Sequence, residues 1–228
     1  MHYMGGKHRA AKRLAACIDL VRRPGQWVWD PFCGGLSMSA ALSVNGPVLA
    51  SDAHAALIYM YRAVQAGWDP PSRVSEEEYY AAKRLPPEDP LHAFCGYGCA
   101  FAGKWRGGYA RSPQDTARNF ASSARNAVIR DVPRIAAFAC LDFLMIAPRP
   151  TNAVLYLDPP YHATTGYLET GKFDHTAFYE RALGWAEHTH VFLSEYASPI
   201  GTLVCVVKPT SERTLRESPV ERLYYLGR

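Results

Sequence analysis

The residues Asp158, Pro159, Pro160 and Tyr161 follow directly on the apolar run 153–157. A carboxylate, a rigid diproline and an aromatic ring therefore stand together where a buried strand should end. Proline has no N–H and a fixed φ, so the backbone is held in one shape. The Asp158 carboxylate and the Pro159 carbonyl then form two hydrogen-bond acceptors fixed in advance, a preorganisation that stabilises polar reacting groups. Tyr161 adds an aromatic face beside them.

Three more aspartates occupy similar places. Asp30 ends 26–30, Asp52 follows 47–51, and Asp142 lies near the end of 138–143. In an open α/β sheet, ligands bind beyond the carboxyl ends of the strands. The four acids therefore predict one shared crevice. Asp30 opens the stretch Asp30-Pro31-Phe32-Cys33-Gly34-Gly35, whose glycines permit a tight turn and close approach of a ligand to the backbone. Asp52 stands at about the separation at which an acid takes ribose hydroxyls. The glycines do not spell G-x-G-x-x-G, because Leu36 and Ser37 follow Gly35. A dinucleotide has no pyrophosphate seat. A nucleoside ligand without phosphates, such as S-adenosylmethionine (AdoMet), fits better.

A second group is basic. Between 103 and 134, seven basic residues face two acidic ones, although the whole chain carries only +4. Lys104, Arg106, Arg111, Arg118 and Arg125 are interleaved with Trp105, Tyr109 and Phe120. Cations bind phosphate and rings stack on bases. A solvated helix face is the commoner meaning of such a run.

The elements that must position these groups are legible from pattern. The runs 26–30, 47–51, 138–143, 153–157, 190–196, 202–207 and 222–226 are seven predicted strands, alternating with helical patterns as βαβ units do. Leu14, Cys17, Ile18 and Val21 have helical spacing, and 54–67 reads as a helix closed by Gly67. The alternation breaks over 70–135, which is proline-rich, then glycine-rich and aromatic. There Ser112, Pro113 and Asp115 predict a helix start. Its apolar face is Ala117, Phe120, Ala121, Ala124 and Val128, and Arg118 and Arg125 point the other way. With 228 residues, 48% of them hydrophobic, the chain is globular. No window reaches the length of a membrane span. Six scattered cysteines read as reduced thiols of a cytoplasmic protein.

Five motifs, in order, resemble the Dam-type family of N6-adenine DNA methyltransferases: Tyr3-Met4-Gly5-Gly6-Lys7, Asp30-Pro31-Phe32-Cys33-Gly34-Gly35, Ser51-Asp52-Ala53-His54, Leu141-Asp142-Phe143, and Asp158-Pro159-Pro160-Tyr161. The segments 190–199 and 221–224 have the look of phage-encoded members. Leu36 replaces a glycine usual in the family's first motif. The resemblance implies a Rossmann-like class I α/β fold with a seven-stranded, mostly parallel sheet. It implies an AdoMet-binding catalytic domain over 1–69 and 136–228, and a target-recognition insertion over 70–135. AdoMet would be the donor and double-stranded DNA the partner, in a bacterial or infected-host cytoplasm. Tyr3 would line the cofactor, Lys7 would meet its carboxylate and Asp52 its ribose. Asp142 would accept from its adenine amino group, with Phe143 beside the ring. Asp30, Phe32 and Gly34 would shape the methionine pocket, which Asp158 borders.

The same resemblance gives Asp158-Pro159-Pro160-Tyr161 its chemistry. Asp158 and Pro159 would hold the hydrogens of an exocyclic amino group, so that its lone pair turns toward the methyl. The displacement is direct and needs neither a metal nor a covalent nucleophile. Tyr161 would stack on the flipped base. Flipping costs a few kcal/mol and stacking returns roughly 1–3 kcal/mol, so the two are comparable. Lys104, Trp105, Arg106, Tyr109, Arg111, Arg118 and Arg125 would meet DNA.

Other patterns count for less. His92, Cys95 and Cys99 have loose metal-like spacing without a fourth ligand. No cysteine follows a proline, which excludes the nucleophile of cytosine-C5 methyltransferases. Cytosine N4 and an RNA base share the amino-group chemistry and stay open, as does a binding module that has lost activity.

Overall fold

The computed structural model describes residues 1, 3–115, 117–147, 152–161, 173–208 and 220–227. The sequence beyond Tyr161, up to 172, lies outside them. Among the described residues, seven strands form one sheet: β1 (Trp27–Asp30), β2 (Val48–Asp52), β3 (Ala137–Cys140), β4 (Ala153–Leu157), β5 (Val191–Ser194), β6 (Thr202–Val207) and β7 (Glu221–Tyr225). Their order is β3-β2-β1-β4-β5-β7-β6. The first five are mutually parallel, and β7 runs antiparallel to both β5 and β6. This is the Rossmann-like, mostly parallel α/β sheet that the sequence predicts.

The helices are α1 (Ala11–Asp19), α2 (Ser37–Leu42), α3 (Ala55–Gln65), α4 (Glu76–Ala82), α5 (Pro90–Ala93), α6 (Phe120–Asp131) and α7 (His175–Ala186). Parallel strands need crossovers, and helices supply them. Strand residues alternate between two buried faces. Val154 and Tyr156 of β4 join one core cluster with Leu14, Ile18, Val28 and Leu57. Leu155 and Leu157 join the other, with Phe178 and Trp185 of α7. The chain steps from β1 outward to β2 and β3, then returns to place β4 on the other side of β1. The crevice between β1 and β4 is therefore the topological switch point, where open sheets bind ligands.

Two expectations shift. The strand predicted over 138–143 stops at Cys140, because the Asp142 carboxylate accepts from the Leu144 N–H (2.8 Å) and starts a 3₁₀ turn. The helix predicted from Pro113 begins at Phe120, with Asn119 as its cap. The Asp115 N–H does bond the Ser112 hydroxyl (3.2 Å), and the Ala117 N–H bonds Asp115 (3.1 Å). That is a single polar turn with nothing apolar to bury, and a nucleus without packing does not propagate. Ala117 is exposed, whereas Ala121, Ala124 and Val128 are buried.

Most of 70–135 is built into the main helical layer. The run 93–97 and the buried face of α6 share the core cluster of β1 and β2. The loop from Phe101 to Asp115 lies over this layer and anchors in it through Trp105 and Tyr109. A single antiparallel bridge, Ala100 to Tyr109, closes its base, and Met4 N–H bonds Gly103 C=O (3.1 Å) at its tip.

Candidate active site

A cavity of about 1000 Å³ opens at the carboxyl edge of the sheet. Every residue predicted for the donor or the chemistry lines it, from Tyr3 and Lys7 through Asp30, Asp52 and Asp142 to Tyr161. The volume lies at the upper end of ligand pockets, which leaves room for two ligands side by side.

Register explains the convergence. Trp29 pairs with Leu155, so Asp30 ends β1 level with Tyr156, two residues before Asp158, and both acids stand at the same edge of the sheet. Asp30 is fully buried and accepts from the Ser39 hydroxyl (2.6 Å) and the Phe32 N–H (3.3 Å). Burial pushes its carboxyl up to about 7, helped by the charges of Asp158 and Asp52 and opposed by those two hydrogen bonds. The Asp52 carboxylate receives the Gly34 N–H (3.0 Å) and the His54 N–H (2.9 Å). It therefore ties the glycine turn to the next strand.

The glycine turn is approached by the chain itself. A Cβ on Gly34 would lie 2.7 Å from the Tyr3 ring, and one on Gly35 would lie 2.6 Å from the Tyr3 Cβ. The glycines thus admit Tyr3, whose ring then becomes cavity wall. Tyr61 fixes the Gly34 carbonyl from behind (2.6 Å). Leu36 takes φ +63°, ψ +11°, the left-handed conformation natural to glycine, with 1% of its surface exposed. Asp142 sits exposed near the rim, while Phe143 is buried among Phe32, Phe173 and Phe178.

Lys7 is the centre of a cluster at the Asp158 end of the cavity. Its Nζ lies 3.1 Å from Asp158 Oδ1 and 3.4 Å from Glu221 Oε2. It also sits 4.3 Å above the Tyr161 ring centroid. Tyr161 is 8% exposed, its hydroxyl is 3.1 Å from Glu221 Oε2 and 3.2 Å from Ser194 Oγ, and its ring meets Tyr196 edge-on at 4.3 Å. Burial alone would lower the Lys7 pKa, but Asp158 and Glu221 together hold it above its usual value. Burial raises the Asp158 carboxyl, with Lys7 pulling the other way.

Sequence reasoning missed Glu221. An antiparallel strand brings its first residue to the edge where parallel strands bring their last, so Glu221 at the start of β7 lands beside Asp158. The signal was an acid opening the final apolar run. Burial also lifts the Glu195 carboxyl to about 7, and its Oε2 is buried without a hydrogen-bond partner.

None of the seven residues predicted to meet DNA lines the cavity. Trp105 packs against His54 (4.4 Å) and Tyr97 (4.7 Å), over Gly96. Tyr109 donates to the Val74 carbonyl (2.7 Å). Both rings are turned inward by packing, where alternating cations and rings in the sequence suggested outward stacking surfaces. Arg106 reaches His92 (2.7 Å) and Arg111 pairs with Glu76. Arg125 forks onto Asp69 (2.7 and 2.9 Å) and bonds the Pro70 carbonyl, so its charge fastens α6. Arg118 and Lys104 are exposed. The outward ring of this loop is Phe101, 64% exposed beside the bridge at the loop base.

Among the described residues, no group of three or more His, Cys, Asp or Glu could hold a metal ion, and no helix is long and apolar enough to cross a membrane. Residues 3–95 match the family model described as D12 class N6 adenine-specific DNA methyltransferase.

Proposed function

We propose that the chain, whose residues 3–95 match the D12 class of N6 adenine-specific DNA methyltransferases, acts as such an enzyme, with AdoMet as its donor and the strand-edge cavity holding donor and adenine together. The family's reaction is methyl transfer to adenine N6 in DNA. The single observation that carries the residue assignments is the convergence of four strand-end aspartates, Tyr3 and Tyr161 on one cavity of about 1000 Å³. AdoMet, when bound, supplies an electrophilic methyl on a sulfonium. A wall rich in carboxylates suits that cation, and Tyr3, Phe32 and Phe143 suit its apolar and aromatic parts.

The protein's own part is placement. Asp52 and Asp142 take hydroxyl and amino hydrogens of the donor. The Asp158 carboxylate and the Pro159 carbonyl receive the hydrogens of adenine N6, so its lone pair faces the methyl. The proton released on methylation leaves by way of Asp158. The adenine reaches this depth by flipping out of the duplex. Lys7 was expected at the donor's carboxylate. Its two carboxylate partners favour a role on the acceptor side, since an ammonium already shared by two anions has little attraction left for a third. On the DNA side, the loop from Phe101 to Arg118 forms the contact part of the 70–135 recognition segment. Lys104 and Arg118 meet phosphates, and Phe101 meets bases.

The test is methylation of duplex DNA with tritiated AdoMet, followed by nucleoside analysis. Wild type labels N6-methyladenine. Asp158→Ala labels nothing while melting cooperatively. Near-normal turnover by Asp158→Ala sinks the catalytic assignment, and label in N4-methylcytosine sinks the substrate.

A further inference from the structure

The Lys7 ammonium occupies both groups that the adenine needs. It holds Asp158 Oδ1 at 3.1 Å and covers the Tyr161 ring at 4.3 Å. With Lys7 on Oδ1 and over one face of the ring, the base must compete with it for both groups. A buried ammonium does not withdraw into nothing, because an uncompensated buried charge costs several kcal/mol. It needs a second anion within a short swing. Glu221 Oε2 stands 3.4 Å away and already bonds the Tyr161 hydroxyl at 3.1 Å.

The geometry points to Glu221 as a positioning residue for methyl transfer: it takes over the Lys7 ammonium when Asp158 and Tyr161 turn to the adenine. This inference rests on the proposed roles of Asp158 and Tyr161. Glu221 touches neither reactant and acts through Lys7. The groups facing it from other elements are Lys7 on the segment before α1, Asp158 and Tyr161 after β4, and Ser194, Glu195 and Tyr196 at the end of β5, with Tyr156 on β4.

The decisive variant is Glu221→Gln, which keeps the shape and an acceptor for the Tyr161 hydroxyl but removes the charge. With no second anion, Lys7 stays on Asp158. Single-turnover methylation at saturating AdoMet should fall roughly ten- to a hundredfold, the scale of a lost charge contact in a dry site. DNA affinity should be unchanged. Because the Glu221 charge raises the Asp158 pKa and Lys7 lowers it, the acid limb of the rate profile should move to lower pH. A Glu221→Asp variant keeps the charge and should recover part of the rate. Independently of turnover, NMR titration of the lysine ε-carbons should find the Lys7 pKa lower in Glu221→Gln than in wild type. A Glu221→Gln enzyme with wild-type rate and an unmoved pH profile overturns the inference. So does an unchanged Lys7 pKa, which decides the matter even if wild type methylates no adenine and the parent reading fails.

Discussion

At Leu36 two opposing effects meet in one residue. Its φ of +63° strains any residue with a Cβ, and its side chain is 1% exposed in the core. Left-handed backbone costs a non-glycine residue about 1–2 kcal/mol. Truncating a buried leucine to alanine costs about 3–5 kcal/mol through lost transfer energy and the cavity left behind. Leu36→Ala should therefore lose at least about 3 kcal/mol, with the strain retained. Leu36→Gly loses one further methyl group, about 0.8 kcal/mol, and gains backbone freedom in the unfolded chain worth about 0.5–1 kcal/mol. It also relieves the strain, which returns about 1–2 kcal/mol. Those three terms nearly cancel. The two variants should thus be equally stable within about 0.5 kcal/mol, both melting roughly 6–12 °C below wild type. At an unstrained site glycine would be the worse by about 1.5 kcal/mol. Calorimetric melts and urea titrations of the pair decide the matter. If Leu36→Gly is less stable than Leu36→Ala by 1.5 kcal/mol or about that, the backbone at 36 holds no strain and the reasoning is refuted. The native sequence accepts the strain because the core needs the side chain.

Asp30 gives a pH signature. Its carboxyl goes from the ordinary 3.8 to about 7 on folding, so its contribution is fully present below about pH 4 and is lost as pH rises through 7. Asp30→Asn mimics the protonated form, and its stability relative to wild type should climb across pH 4–7; parallel urea-denaturation curves at all pH values would disprove the shift. Phe101→Ala should weaken binding to duplex DNA, read by anisotropy, without lowering the melting temperature. Trp105→Ala should cost about 3 kcal/mol of stability, and a stable Trp105→Ala that merely binds DNA less well would reverse the two roles. Neutralising Lys104 should reduce the slope of log affinity against log salt by about 0.9. Arg125→Ala should leave that slope alone, since Asp69 already holds the guanidinium; a lower slope would return Arg125 to the DNA face.

The parts legible in the sequence are those written locally. β1, β2 and β4 are apolar runs halted by Asp30-Pro31, by Asp52 and by Asp158-Pro159, and such stops mark strand ends whatever surrounds them. The cavity followed, because strand ends in an open sheet share an edge. Orientation was not legible. Trp105 and Phe101 are four residues apart in one basic loop, and only packing against Gly96, His54 and Tyr97 decides which ring turns in. The start of α6 failed for a related reason: Ser112 and Asp115 carry good capping chemistry, yet no apolar partner repays a first turn there. The partners of Lys7 lay beyond local reading, because the closest approach of 7, 158 and 221 depends on the antiparallel placement of β7.

That same placement sets when the enzyme becomes complete. Lys7, Asp158 and Glu221 come from three distant parts of the chain, so their cluster closes the longest loops in the fold, and contacts of high sequence separation form late. The central strands and their helices can assemble during synthesis, but the cluster waits for β7 to dock on β5. A ribosome-bound chain that has exposed its first two hundred residues holds the strand-edge acids and the recognition loop without the anion that shares Lys7. DNA met by such a chain should be bound and methylated roughly ten- to a hundredfold more slowly, which makes docking of β7 the event that brings the site to full rate.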